Sequence, residues 1–583
     1  MKKLQGVPVS PGIVVHRAHH IFSESIPFVD RFIDPSEVDK EIERYRQACI
    51  QAKEDLLNTK DRVSDSIGTD FSEIFESHIQ ILTDETIQKD TIFRIRKKNY
   101  SAEYALGMVY KKYKKMFTKM GRDHLLAQRV ADIDDIERRL LKILLNVAGD
   151  ISKEITEDAI YIAHELRPSQ ASLLSNSHVK GIVTETGGVT SHFAIMIRAM
   201  GLPGIIGVEG LTKEVLEGQT IIIDCNTGLV VLDPDEETLQ KYERLQKQFQ
   251  LFEKTIISQR LLPAETIDGY RVSLFGNIEF PIEATAVLQN GGEGVGLYRT
   301  EFLFVDAHQL PNEKQHLSAY LETIKTLKQR PFVIRTMDLG ADKFAEVTGG
   351  EQERNPFLGC RSIRFCYENP EILNVQLKAI LKASVNASIK ILFPMISTLE
   401  ELRWSLSQLE IAKNELKAEG VAFAPNIPVG IMIEVPSAAI ISRELAPLVD
   451  FFSIGTNDLV QYTLAVDRDN ERVSRIYSPS NPAVLQLIKM TIASANQNNI
   501  PVSLCGEIAG DPIYIPLLMG FGLTEFSLNS HSIPFVKNLI RSMTWNDIEK
   551  ITAEAMSFHT AEEIHNTMMN AVKKIIPEYY SIN

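Results

Sequence analysis

Between residues 270 and 530 eight short apolar runs follow one another, each set off from the next by a segment long enough for a helix. They read VSLFGNI, GVGLYRTE, FVIRTMD, IKILFPMI, VGIMIEV, DFFSIGTND, VSLCGE and TEFSLN. Short runs rich in β-branched and aromatic residues suit strands buried on both faces, and alternation with helices places such strands in a parallel sheet. Eight repeats of that unit predict a (β/α)8 barrel.

In such a barrel the polar residues at the C-terminal strand ends converge on one mouth. Arg299 and Glu301 follow the second run, Arg335 and Asp338 the third, Glu434 the fifth, Asn457 and Asp458 the sixth, Cys505 and Glu507 the seventh. Arginine forks match phosphate or carboxylate oxygens, and paired carboxylates suit Mg2+, which keeps waters and bridges to substrate phosphate. The set therefore points to a small phosphorylated carboxylic acid bound with Mg2+. Any single member is equally compatible with an ordinary rim ion pair. Cys505 has two readings as well: a small buried apolar residue, or a thiol at a strand end that exchanges a proton with substrate carbon.

The rest of the chain has a different character. Asp34-Pro35-Ser36-Glu37 carries the pattern of a capping box, and Val38, Ile42, Tyr45, Cys49, Ala52 and Leu56 follow at helical spacing. A second stripe runs through Val130, Ile133, Ile136, Leu140, Ile143 and Val147, so residues 33–146 read as an all-helical subdomain. After Gly149 the short runs DAIYIA, GIVTE and TIIIDC alternate with helical pieces, the pattern of a small α/β unit. Because VPVSPGIVVHRA near the start also reads as strand, the helical subdomain is placed as an insertion into that unit. A capping pattern returns at Asp233-Pro234-Asp235-Glu236 and opens a helix with Leu239, Tyr242, Leu245, Phe249 and Phe252 on one stripe, a candidate connector. The predicted division is 1–32 with 147–234 as the α/β domain, 33–146 helical, 235–262 linker, and 263–583 barrel.

Within the α/β unit, TETGGVTSHFAIMIRAMGLPGIIG at 184–207 sets two glycines and two hydroxyls before His192, and an apolar run after it. A helix start disfavours imidazolium and receives anions, which suits a neutral histidine that becomes phosphorylated; a packed or capping histidine fits the same position. The glycines permit close backbone approach, and Thr190 and Ser191 offer hydroxyls to a phosphoryl group.

Bulk properties exclude several classes. With 62 basic against 76 acidic residues the net charge is −14, which opposes nucleic-acid binding. The five cysteines, Cys49, Cys225, Cys360, Cys366 and Cys505, lack CxxC spacing and suit a reducing compartment. No apolar run approaches the roughly 18 residues of a membrane span and the N-terminus lacks a signal-peptide core, so a cytoplasmic protein is predicted. Neither a GxxxxGK[ST] phosphate loop nor a GxGxxG between a strand and a helix occurs, which leaves little support for nucleotide chemistry, and there is no HExxH metal motif.

From VPVSPGI to the last barrel run the chain resembles Enzyme I of the bacterial phosphotransferase system, the phosphoenolpyruvate-protein phosphotransferases. GGVTSHFAIMIRAMGLPGIIG is similar to that family's phosphohistidine signature. GLYRTEFLF, RTMDLGADK, NPFLGCRSIR, IMIEVPSAA, GTNDLVQYTLAVDRDN and SLCGEIAGD are similar to its barrel motifs, in the same order. The resemblance implies that His192 accepts the phosphoryl group, that Arg299, Arg335, Asn457, Asp458 and Arg468 bind phosphoenolpyruvate, that Glu434 and Asp458 hold Mg2+, and that Cys505 protonates the enolate. It also implies an HPr-like carrier docked on the helical insertion, in the segment that holds His78 and Arg129, and a homodimer formed through the barrel. A regulatory phosphorelay paralogue with the same chemistry is the alternative; the related dikinases need an ATP-binding domain that a helical insertion does not supply. Beside the histidine, Val189, Phe193 and Ile197 depart from the residues usual in the family.

Overall fold

Asp34 caps the first helical segment, though not through the box its spacing suggests. Its carboxylate accepts from the backbone N–H of Ser36 at 2.9 Å and from the Ser36 hydroxyl at 2.6 Å, because the opening turn Pro35–Glu37 is a tight 3-10 turn. At the later helix the cap is Asp235, which accepts from the N–H of Thr238 at 2.8 Å, while Asp233 turns the chain at a φ of 48°.

The computed structural model describes residues 1–21, 32–66, 78–120, 124–145, 157–165, 178–187, 194, 197, 201–305, 310–339, 355–468, 473 and 476–577. The chain forms two compact units that divide at Gln250 and Leu251.

In the first unit an eight-stranded sheet runs in the order β1-β8-β7-β3-β4-β5-β6-β2. The strands are β1 (Lys2–Gln5), β2 (Val7–Ser10), β3 (Ile13–His20), β4 (Ala159–Ala163), β5 (Val179–Thr184), β6 (Gly204–Ile206), β7 (Thr220–Asp224) and β8 (Leu229–Leu232). β3 pairs directly and in parallel with β4, Ala18 opposite Ile160. The helices α1 (Val38–Ser66), α2 (Glu85–Lys98), α3 (Ala102–Met120) and α4 (His124–Leu144) lie between these two strands in sequence and pack on one another. Their core takes Ile42, Tyr45, Ala52 and Leu56 from α1 and Ile133, Ile136 and Leu140 from α4, as the periodicity predicts. Leu144 rather than Ile143 continues the buried stripe, since the step of four keeps it on the 3.6-residue face. Val147 and the side chain of Val130 lie outside the described residues. Helix α5 (Glu236–Gln259) follows β8.

All eight predicted runs are strands of a closed parallel barrel in the second unit: β9 (Ser273–Ile278), β10 (Val295–Tyr298), β11 (Phe332–Arg335), β12 (Ile389–Phe393), β13 (Val429–Ile433), β14 (Phe451–Ile454), β15 (Val502–Leu504) and β16 (Glu525–Asn529). β16 pairs with β9, from Glu525 opposite Ser273 to Asn529 opposite Asn277, and so closes the ring. Leu297, Val333, Leu392, Met432, Phe451 and Cys505 form one buried cluster, and the much larger apolar set lies between the strands and their helices. Helix-to-strand contact is tight at Gly276, where an added Cβ would come within 2.1 Å of Val287. Among the described residues no helix is long and apolar enough to cross a membrane.

Gly276→Ala should lower the unfolding free energy of the barrel by about 1–3 kcal/mol through overpacking. Adding Val287→Ala should return part of that loss, so that denaturant unfolding of the double variant costs less than the two single losses added.

Candidate functional site

Two arginines and a carboxylate between them organise the barrel mouth. Arg335 ends β11 and is 11% exposed; its Nη2 donates to Glu301 Oε1 at 2.5 Å and its Nη1 pairs with Asp338 Oδ2 at 3.1 Å. Arg361 comes from the loop after β11 and forks onto the same carboxylate, with Nη2 donating at 2.9 and 3.1 Å and Nε at 3.3 Å. Its Nη1 reaches Asp458 Oδ1 at 3.5 Å and donates to the Tyr462 hydroxyl at 3.3 Å. The Phe357 ring lies 5.9 Å from this guanidinium. Burial works against ionisation of Asp338, but Arg335 and Arg361 outweigh it and hold its pKa below the ordinary value. Burial likewise opposes the charge on Arg335, and Glu301 and Asp338 more than offset it. The Arg335 Nε, Glu301 Oε2 and Asp458 Oδ1 atoms are buried with no hydrogen-bond partner among the described residues.

Glu434 follows β13 and is buried, with Oε1 accepting from the N–H of Met395 at 2.6 Å. Burial, and then the charges of Asp338 and Asp458, push its pKa up to about 8 against the pull of Arg335. An added Cβ at Gly455 would lie 2.8 Å from Glu434 Oε2, so the glycine admits the carboxylate. Asn457 and Asp458 stand in the first turn of helix Thr456–Leu464, directly beyond β14. Asn457 is clamped to Glu507: its amide donates to the carboxylate at 3.1 Å and its oxygen accepts the Glu507 N–H at 3.0 Å. Arg299 is half exposed and pairs with Glu279 at 2.7 Å. Arg468 is exposed beyond that helix, its N–H donating to the Gln461 side chain at 3.3 Å.

Cys505 stands one residue past β15 with 3% exposure. Its Sγ accepts from the Ser453 hydroxyl at 3.2 Å and donates to Ile454 O at 3.5 Å. Burial raises its pKa, with the Ser453 hydrogen bond as the largest opposing influence, so the group is a thiol at neutral pH. Gly506 lets this strand end close on its neighbour, since a Cβ there would meet Thr456 Oγ1 at 1.7 Å.

The barrel thus brings together Arg335, Glu434, Asp458 and Cys505, with Arg299 just past β10, Asn457 in the first turn of the helix after β14, and Arg468 beyond that helix. Arg361 belongs with the first group and does not stand out in the sequence, because it sits inside a loop motif rather than at a strand end. Its position in NPFLGCRSIR is the signal that could have found it. His192 lies outside the described residues, as do Thr190, Ser191, Val189 and Phe193. Ile197, five residues beyond His192, is fully buried, and its Cγ2 would lie 2.8 Å from a Cβ at Gly204. In the helical bundle His78 is fully buried between Asp132 at 3.1 Å and Asp135 at 3.6 Å, an interior position rather than a surface one. The side chain of Arg129 is outside the described residues.

Three family descriptions match successive parts of the chain. They are the N-terminal domain of PEP-utilising enzymes over 5–129, the mobile domain over 155–228, and the PEP-binding domain over 254–545. The phosphoenolpyruvate-protein phosphotransferase of Priestia megaterium is 39% identical over 97% of this chain and 98% of its own length. Those of Bacillus subtilis and Haemophilus influenzae are each 38% identical, over 97% and 96% of this chain and 98% and 97% of their own lengths.

The raised pKa of Glu434 carries a consequence for stability. A carboxyl whose folded pKa lies above its unfolded value favours the fold while both states are protonated, and this contribution is lost as pH rises through the folded pKa. Stability should therefore fall from about pH 4.5 towards about 8 because of this group, by at most ~1.4 kcal/mol per unit. Glu434→Gln should remove that slope, so thermal melts across pH 5–9 should show the variant gaining on the parent as pH increases.

Proposed function

The chain belongs to the phosphoenolpyruvate-protein phosphotransferases, the Enzyme I family, and from that premise we propose that it moves the phosphoryl group of phosphoenolpyruvate to His192 and then to a histidine of an HPr-like carrier, releasing pyruvate. The observation that carries the residue assignment is the convergence of Arg335, Arg361, Glu434, Asp458 and Cys505 on one mouth of a closed barrel.

The imidazole nitrogen of His192 attacks phosphorus, a P–N bond forms, and the bond from phosphorus to the enolate oxygen breaks. Phosphoryl transfer asks the protein mainly for positioning and charge stabilisation, and the paired arginines supply both. Arg335 and Arg361 are held by Glu301 and Asp338 before substrate arrives, so little reorganisation is needed. Arg299, Asn457 and Arg468 complete the contacts to phosphoenolpyruvate. The enolate carbon then takes the Cys505 proton, its electron pair forming the new C–H bond as the carbonyl closes, and the thiolate is reprotonated from solvent.

A divalent metal suits the carboxylates at this mouth. Among the described residues no three His, Cys, Asp or Glu side chains form a metal cluster, but Glu434 and Asp458 present two hard oxygen donors, and the buried Asp458 Oδ1 lacks a hydrogen bond. Mg2+ is commonly held by one or two carboxylates plus substrate phosphate. These two residues would hold it, and it would supply neutralising charge at the phosphoryl oxygens.

The proposed division keeps 1–32 with 147–234 as the phosphohistidine domain, supported by the direct pairing of β3 with β4 across the inserted helices. The helical segment 33–146 is the carrier-docking subdomain, 235–262 the linker and 263–583 the substrate-binding barrel, through which a homodimer forms. A cytoplasmic location accords with a catalytic thiol that must stay reduced.

Incubation with labelled phosphoenolpyruvate, Mg2+ and HPr should put an acid-labile, base-stable label on the protein that passes to HPr. His192→Ala should abolish labelling, and label that persists would exclude His192 as nucleophile. Cys505→Ala should slow pyruvate formation by about 10²–10⁴-fold while leaving phosphoryl exchange between phospho-HPr and His192 largely intact. Equal loss of both would make the cysteine structural.

A further inference from the structure

Ser453 is buried within β14, has no place in the scheme above, and aims its hydroxyl at the one group that must change protonation state. Its neighbours on that strand end differ in kind: Phe451 and Phe452 are apolar packing residues, whereas a fully buried hydroxyl needs a partner. The partner is Cys505 Sγ at 3.2 Å, across the parallel pair in which Ser453 lies opposite Ser503. The thiol's own proton faces the Ile454 carbonyl at 3.5 Å. The other end of the residue is held separately. Asn277 at the end of β9 donates to Cys505 O at 2.9 Å, and Ser527 on β16 fixes that amide by donating to Asn277 Oδ1 at 2.6 Å. Three strands thus bear on one cysteine, and among the described residues only Ser453 offers its sulfur a hydroxyl.

We propose that Ser453 is a positioning residue for carbon protonation, its hydroxyl orienting the Cys505 sulfur and stabilising the thiolate left when the proton goes to the enolate carbon. This rests on the assignment of Cys505 as proton donor. As the S–H bond breaks and the C–H bond forms, the sulfur gains a full negative charge in a buried site. A neutral donor already in place strengthens as that charge grows, whereas at the thiol stage it contributes little; the interaction is therefore larger after transfer than before it. Burial raises the thiol pKa and the Ser453 hydrogen bond lowers it, which agrees with the geometry. Histidine phosphorylation by phospho-HPr involves no carbon protonation and so does not call on Ser453.

The test compares Ser453→Ala, Cys505→Ala and the unaltered full chain in three measurements. These are pyruvate formation from phosphoenolpyruvate with HPr as acceptor, phosphoryl exchange from phospho-HPr, and the solvent deuterium isotope effect on pyruvate formation. Ser453→Ala should slow pyruvate formation about 10- to 100-fold, the loss of one hydrogen bond to a charged acceptor. It should raise the isotope effect, because proton transfer becomes rate-limiting, and leave exchange within about twofold. Unchanged turnover and isotope effect in Ser453→Ala, with Cys505→Ala impaired, would overturn the role of Ser453 alone. A parallel loss of turnover and exchange in Ser453→Ala would overturn it too, as the mark of a packing defect. Full turnover in Cys505→Ala would instead remove the reading on which the proposal rests.

Discussion

The charge on Asp338 is what the barrel mouth depends on. A buried carboxylate is costly unless it is paired, and this one is shared by Arg335 and Arg361, which are themselves largely buried and costly without it. The three charges are stable only together. Their mutual need fixes two guanidinium forks next to Glu434 and Asp458 without recourse to the long, flexible stems of surface arginines. Glu434 resists ionisation first because it is buried, and then because it faces Asp338 and Asp458 with Arg335 as its main compensation. A dication placed among these carboxylates would ease that repulsion.

Barrel closure makes the cluster possible. Its members come from segments far apart in the chain, and only the ring of parallel pairs from β9 through β16 brings them to one end. Close approach at that end is a matter of missing side-chain atoms. Gly455 leaves room for Glu434 and Gly506 for Thr456, so the strand ends sit nearer together than any larger residue would allow. Cys505 is held at this tightened edge, which is why its thiol is buried and yet within the field of Glu434 and Arg335.

Periodicity makes the large-scale architecture legible in the sequence. All eight barrel strands can be read because a parallel strand buried on both faces leaves an apolar run bounded by turns, a signal that survives without tertiary information. The helical stripes of α1 and α4 are legible for the same reason, and the shift from Ile143 to Leu144 is the one-residue ambiguity inherent in a 3.6-residue period. Caps are legible as composition but not as geometry: Asp34 bonds Ser36 rather than sharing a box with Glu37, and Asp235 caps where Asp233 was a candidate. At the site, residues on strand ends can be found by counting along the barrel. Arg361 cannot, because it reaches the mouth from within a loop, and Ser453 cannot, because a serine inside an apolar strand looks like packing until its sulfur partner is seen. The buried position of His78 also depends on partners, Asp132 and Asp135, more than fifty residues away.

Two physical roles for Asp338 predict opposite results. If it chiefly neutralises the arginines, its removal makes the mouth more positive and an anion binds more tightly; if it chiefly positions them, the forks are lost and binding weakens. Because Arg361 grips both Asp338 oxygens and Arg335 reaches the same carboxylate, positioning is the role that the geometry favours. Calorimetric titration of phosphoenolpyruvate with Mg2+ into Asp338→Asn and the parent chain, at matched ionic strength, distinguishes them. The Kd should rise about tenfold or more in the variant, a loss of about 1.4 kcal/mol. An unchanged or lower Kd would contradict the claim that this shared carboxylate builds the substrate site.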